Sequence, residues 1–387
     1  MQKTVSLGPL RATVAEPVQI ELFAVTDDPR FTNTIDLWDI APRFVFYTDK
    51  DAREAGKYLS SVEREFLHNG KAYRLVLKPA RIRRDGKEIE EYPGEREQLV
   101  EEVIRKLAVE PGRLHMRERD QVAMNFSLYE IREELSRRSH SFRTAEIKEA
   151  LQILRHAEIE ISRVATGADG SDDVTSIVAT STFPQITFRE RGRDLSESSI
   201  QFNWFVAQAL KHLQFRLLNY EVVMNLRDPV ARWLYKRLHH TAVSARGGLE
   251  VQEITAVEIH RDCGLADRAR FRDVLRRIGR SVELLKAEGI IKAYDAVDVL
   301  ERSQGRPRKA DIRYTLRVSE AFIEQASLAH ERWSEAAEDY RAVVGAAPAA
   351  FVRLDAQKRD ELRVVRAKRR SARRAEASPP RLALPEA

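Results

Sequence analysis

Arg272, Arg276, Arg277 and Arg280 recur at helical spacing in one stretch of the chain. At 3.6 residues per turn they share one face of a helix predicted over 268–288. Phe271, Val274, Leu275, Ile278, Val282 and Leu285 fall on the opposite face, which reads as the buried side. A guanidinium is planar, permanently charged and able to fork onto two acceptors. Against a duplex it pairs bidentately with phosphate, or with guanine O6 and N7 in the major groove. The pattern suits recognition of double-stranded DNA rather than bond making. Arg268 and Arg270 extend the basic run toward its start. The alternative is a solvated basic face on an ordinary helix.

Downstream, Gly305-Arg306-Pro307-Arg308-Lys309 resembles the core of an AT-hook. There an extended Arg-Pro-Arg follows a narrow minor groove, where the negative potential is high. It reads equally as a basic turn. A second, weaker set of cations lies earlier. Arg137, Arg138, Ser141, Arg143 and Lys148 flank or sit on a helix that also carries Glu146 and Glu149. Carboxylates repel phosphate, so this earlier helix is expected to bind DNA less well, or to serve as a protein-contact surface. The basic block Lys368-Arg369-Arg370 with Arg373 and Arg374 could add sequence-independent affinity through counterion release, or merely solubilise the terminus.

Other chemistry lacks its residues. Neither a phosphate-binding G-x-x-x-x-G-K-[ST] nor a G-x-G-x-x-G occurs, so no nucleotide cofactor is expected. His239-His240 are adjacent rather than spaced as a metal pair, and read as surface, groove-lining residues. No metal site is expected. No pair of carboxylates sits in a catalytic frame, and Asp172-Asp173 reads as part of a turn. The single cysteine, Cys263, excludes an internal disulfide and a cysteine-ligated zinc finger. Met1 to Pro17 has no apolar signal core, and no run approaches a membrane span, so a cytoplasmic protein without membrane contact is expected. The net charge of +6 on 387 residues matters only where the cations gather.

The elements that must hold the arginines are announced by two helix starts. Ser127 with Glu130, and Thr255 with Glu258, have capping-box spacing. Behind each come a short helix, a turn, a longer helix and a hairpin-like stretch. That order is a winged helix, here written twice. Asp228-Pro229 marks another start, with an N-cap and a proline in the first turn. The expected fold is therefore α+β, with two tandem winged-helix domains. A flexible N-terminal arm covers 1–30, and the first winged-helix domain, with extra strands, covers 31–197. The second covers 198–320, and a helix with a basic, partly disordered tail covers 321–387. The aromatic-rich stretch 198–226 reads as the join between modules.

The stretch around Arg232-Trp233-Leu234-Tyr235, the early Leu37-Trp38-Asp39-Ile40-Ala41-Pro42 and the segment from Asn69-Gly70 to Pro79 resemble plasmid replication initiators of the replication initiator protein A family. The resemblance covers roughly residues 19–320. It implies a non-enzymatic protein that binds repeated sites at a plasmid origin and helps open the adjacent duplex. It also implies recruitment of host helicase, loader and polymerase, and in many members a homodimer. Gln19-Ile20-Glu21-Leu22-Phe23 is similar to the pentapeptide that docks replication proteins on the sliding clamp. Gln19 would hydrogen-bond at the pocket rim, while Leu22 and Phe23 fill an apolar cleft. A plain edge strand is the alternative there. For the whole chain the rivals are a transcriptional repressor of the same fold, and a nicking or priming enzyme.

Overall fold

Both predicted capping boxes form. Ser127 Oγ accepts from Glu130 N at 3.1 Å, and Glu130 Oε2 accepts from Ser127 N at 3.0 Å. Thr255 and Glu258 repeat the exchange at 3.2 and 2.8 Å. Two orphan donors of a helix N-terminus are satisfied in each case.

The structure is a computed structural model. It describes residues 18–19, 31–46, 58–110, 113–116, 121–166, 172–188, 198–211, 215–242, 251–266, 270–301, 308–344 and scattered positions between 361 and 371. The chain begins with β1 (Val18–Gln19), β2 (Phe31–Thr34) and α1 (Asp36–Ile40). Two hairpins follow, β3 (Val62–His68) with β4 (Lys71–Lys78), then β5 (Ala80–Arg84) with β6 (Lys87–Glu91). Their turns, Asn69-Gly70 and Asp85-Gly86, have positive φ at both residues, the geometry that matches the twist of a two-residue hairpin.

Next come α2 (Glu95–Ala108), β7 (Leu114–Met116), β8 (Val122–Phe126), α3 (Leu128–Arg137), α4 (Thr144–His156), β9 (Glu158–Thr166) and β10 (Asp172–Thr180). A connecting region holds β11 (Gln185–Thr187), β12 (Ser198–Gln201), α5 (Trp204–Lys211), β13 (Arg216–Asn219) and α6 (Tyr220–Asn225). The last part is α7 (Pro229–Ala242), β14 (Val251–Thr255), α8 (Ala256–Cys263), α9 (Phe271–Ala287), β15 (Ile291–Glu301), β16 (Arg308–Val318) and α10 (Glu320–Val344). The fold is α+β. The order helix, strand, capped helix, second helix, hairpin occurs twice, as α2–β8–α3–α4–β9–β10, with β7 inserted after α2, and as α7–β14–α8–α9–β15–β16.

The two copies differ in their sheets. In the second, β14 joins its own hairpin, in the order β14-β16-β15. In the first, β9 and β10 join β4 and β3, while β8 lies between β7 and β12. The join expected over 198–226 is thus partly absorbed by the first module. β12 pairs with β8, and β13 pairs with β2, Arg216 opposite Thr34. In the N-terminal arm, Val18 and Gln19 pair with Met116 and His115 of β7 at the edge of that sheet.

The two copies meet on charge as well as on apolar surface. Leu99, Val103 and Ile104 of α2 are buried, but so are Gln98, Glu101, Glu102 and Arg105. Arg232 of α7 is fully buried and donates to Gln98 Oε1 and, at 2.5 Å, to Glu95 Oε1. Lys236, one turn on, reaches Asp39 Oδ1 at 3.0 Å and Glu102 Oε1. Arg105 and Arg43 complete the network on Asp39 and Glu101. Four cations therefore face four carboxylates, so each buried charge has a partner, which such burial requires. Trp233 Nε1 adds a bond to Ile40 O at 3.0 Å. The Leu37–Pro42 and Arg232–Tyr235 stretches, which carry the family resemblance, are the two that meet here.

His239 and His240 correct the sequence expectation. Their side chains are buried rather than on the surface, and burial holds the ring of His239 down at about 3 and that of His240 at about 4.

Candidate nucleic-acid interface

The helix α9 is placed by one acidic residue and an apolar stripe. Val274, Leu275, Ile278, Val282 and Leu285 are buried against the rest of the second copy. Ser281, also buried, donates to Asp228 Oδ2 at 2.5 Å. The same carboxylate oxygen accepts from Ala231 N at 3.0 Å and so caps α7, as Asp228-Pro229 predicts. One side chain thus fixes the start of α7 and the rotation of α9 about its axis.

That rotation sorts the predicted arginines. Arg270, Arg272, Arg276 and Arg280 are exposed. Arg272 and Arg280 have no acidic partner among the described residues, whereas Arg276 lies 3.2 Å from Asp273 at a half-exposed site. Arg277 departs from expectation. It turns inward to Asp228 Oδ1 at 3.4 Å and belongs to the helix anchor rather than the free face. Phe271 also departs, being 39% exposed at the first turn instead of buried. Arg268 lies outside the described residues. With 17 residues, α9 is about 25 Å long, enough to lie along a major groove.

The hairpin β15–β16 stands beside α9, and its strands pair from Ile291↔Val318 to Glu301↔Arg308. Arg306 and Pro307 lie outside the described residues, and Arg308 is described as the first residue of β16. Lys309 is ion-paired with Asp298 at 2.6 Å. Val297 and Leu300 are more than half exposed on the same hairpin.

The first copy presents a different surface. β5 packs against α4, so the helix equivalent to α9 is partly covered. Arg84 Nη2 binds Glu149 Oε1 at 2.7 Å and Arg96 reaches the same oxygen at 3.0 Å. The Arg84 hydrogen bond holds the Glu149 carboxyl below its ordinary range despite partial burial. Glu146 accepts from Arg143 N at 2.7 Å and pairs with its guanidinium at 3.4 Å. The two carboxylates expected to repel phosphate are therefore already matched by cations, two of which, Arg84 and Arg96, the sequence reading did not single out. Arg137 and Arg143 are strongly exposed, and Ser141 is exposed. Arg138 is held by Glu221 at 2.9 Å, and the Lys148 ammonium lies 5.4 Å over the Phe188 ring. Gln19 is placed as a strand residue, and Leu22 and Phe23 lie outside the described residues.

Among the described residues no group of histidine, cysteine and acidic side chains could hold a metal ion, and no helix is long and apolar enough to cross a membrane. The arrangement offers a solvent-facing row of cations on a rigid helix, next to a long hairpin.

No protein-family model and no curated protein sequence matches the chain. Among solved structures it is similar to domains 2 and 3 of RctB. There the TM-score is 0.41 at 10% identity, over 75% of this chain and 99% of that one. It is also similar to Pi initiator protein in complex with iteron DNA, with a TM-score of 0.36 at 12% identity, over 58% of this chain and 91% of that one.

Proposed function

We propose that the chain is a plasmid replication initiator that binds repeated origin DNA through two winged-helix modules. One observation carries this reading: the exposed, largely unpaired arginine row Arg270, Arg272, Arg276 and Arg280 on α9, set beside the β15–β16 hairpin. The α9 helix would enter the major groove, and Arg306 and Arg308, in the stretch of sequence that follows β15, would contact the adjacent minor groove. Arg137, Ser141 and Arg143 would add backbone contacts from the first module. Distortion of the bound duplex, rather than nucleotide hydrolysis, would help open the neighbouring strands. The chain would act without enzymatic chemistry of its own, recruit the host helicase or its loader, and bind as a monomer or homodimer. Docking of Gln19, Leu22 and Phe23 on a sliding clamp would require β1 to leave β7.

Footprinting of the full chain on DNA upstream of its own gene and on nearby direct repeats tests the reading. Protection at regularly spaced repeats is expected. Equal affinity for those repeats and for random duplex would overturn it. A nick or a covalent adduct on supercoiled origin DNA with magnesium would replace it by the nicking-enzyme alternative. A clamp-binding test on the 19–23 peptide separates an initiator from a repressor of the same fold.

A further inference from the structure

A cavity of about 700 Å³ lies away from the arginine row, where β2, α1, the β3–β4 turn, α5, β13, the end of α7 and α10 converge. Its size is that of a small-molecule site. Aromatic rings dominate its walls: Trp38, Tyr73, Trp204, Phe205 and Trp333. Trp38 and Phe205 stack at 5.4 Å, and Trp204 meets Phe205 edge-on at 5.2 Å while remaining 52% exposed. A tryptophan that stays half open on a cavity wall presents a flat π surface to an incoming flat partner.

The polar atoms are of both kinds. Asp36 accepts from Asn69 Nδ2 at 3.2 Å and lies 3.3 Å from His68 Nε2 and 3.4 Å from His240 Nδ1. His240 Nε2 meets Thr34 Oγ1 at 3.0 Å. Two further lining groups, His239 Nδ1 and Trp333 Nε1, are buried and find no protein partner. His239 itself is only 4% exposed. Buried polar atoms of this kind cost free energy until something satisfies them. Lys71, exposed, and Arg216 line the same cavity and bring two positive charges against the one carboxylate of Asp36.

We propose that this cavity binds a nucleotide, its base stacked on Trp204 and bonded at its edge by His239 and Trp333, its phosphate drawn to Lys71. A nucleobase answers each demand at once, because it is flat, carries donors and acceptors around its rim and comes attached to an anion. An apolar peptide anchor would satisfy the rings but leave the polar atoms and the Lys71 ammonium unmatched. The inference does not require that α9 bind duplex DNA. The nucleotide can come free, or from an unpaired DNA strand.

Intrinsic tryptophan fluorescence of the full chain, titrated with deoxyadenosine 5′-monophosphate and with a short single-stranded oligodeoxyadenylate, tests this. Saturable quenching is expected. Saturation by the mononucleotide assigns free nucleotide, and saturation by the oligomer alone assigns an unpaired strand. Trp204→Ala should weaken binding about tenfold, since it removes one stacking platform. Lys71→Glu should weaken both ligands but not deoxyadenosine, which has no phosphate. Both side chains are exposed, and unchanged thermal unfolding and unchanged binding to duplex repeats keep the result separate from the duplex reading. Absence of quenching by either ligand overturns the proposal, as does quenching that both variants leave intact. Saturation by N-acetyltryptophanamide with none by nucleotides would reassign the cavity to a protein side chain.

Discussion

Lys236 Nζ stands 3.0 Å from Asp39 Oδ1, and that buried pair ties α7 of the second copy to α1, which precedes the first. Asp39 also accepts from Arg105 Nη1, Thr34 Oγ1 and Ile35 N. Burial alone would raise its pKa, yet Arg105, Lys236 and Arg43 together hold it well below the usual carboxylate range. Asp39→Ala leaves those cations without their shared acceptor. The expected loss is about 3–5 kcal/mol, the scale for breaking one side of a buried ion pair. Urea unfolding measures it, and a loss below about 1 kcal/mol would mean that the joint is not held by charge.

Arg276→Ala and Arg280→Ala are expected to weaken binding to repeated sites by about 1–3 kcal/mol each if the guanidinium reads a base. If it contacts phosphate, all duplexes weaken alike and the salt dependence becomes shallower. Fluorescence anisotropy at two salt concentrations separates the two. Unchanged binding in both variants removes α9 as the reading helix.

Arg277→Ala should behave differently from its neighbour. Its guanidinium pairs with Asp228 rather than facing solvent. The salt slope of DNA binding should stay as in the parent protein, while the thermal midpoint falls slightly. A slope reduced as much as in Arg276→Ala would show that Arg277 swings out onto DNA.

Acid should loosen the chain well above the carboxylate range. Burial depresses His239 to about 3 and His240 to about 4, from 6.5. Between those values and 6.5 the unfolded chain binds more protons than the folded one. Their stabilisation is therefore complete above about pH 6.5 and is lost as pH falls toward 4 and then 3. Each ring contributes a slope of about 1.4 kcal/mol per pH unit in that window. Urea midpoints measured from pH 7 to pH 4 should fall, and a His239→Gln/His240→Gln double variant should flatten the fall. An equal slope in the double variant would exclude these rings.

Gly264 ends α8 with φ of +91°, and a Cβ there would meet Phe44 O at 2.5 Å. Its carbonyl accepts from Phe46 N at 2.9 Å and from Arg64 Nη2 at 3.1 Å. Gly264→Ala is expected to destabilise by at least about 1–3 kcal/mol, through both left-handed backbone and clash. Thermal unfolding tests it, and a neutral result would require the Phe44 segment to shift at no cost.

Short-range patterns made much of this molecule legible in its sequence. Ser127-x-x-Glu130, Thr255-x-x-Glu258 and Asp228-Pro229 located three helix starts, because caps and first-turn prolines act within a few residues. The apolar period of α9 from Val274 onward located its buried stripe for the same reason. What lay beyond reach depended on residues far apart in the chain. Arg277 and Arg276 are adjacent and chemically identical, and only the position of Asp228 turns one inward. Gln98 and Glu102 on α2, and Arg232 and Lys236 on α7, have the spacing of exposed polar faces. They are buried because two such faces of opposite charge meet, and neither sequence window contains its partner. Likewise His239 and His240 sit on a helix covered there by β2, β13 and α10, and β2 and α10 lie toward opposite ends of the chain. Local spacing determined which faces exist, and long-range packing decided which of them water can reach.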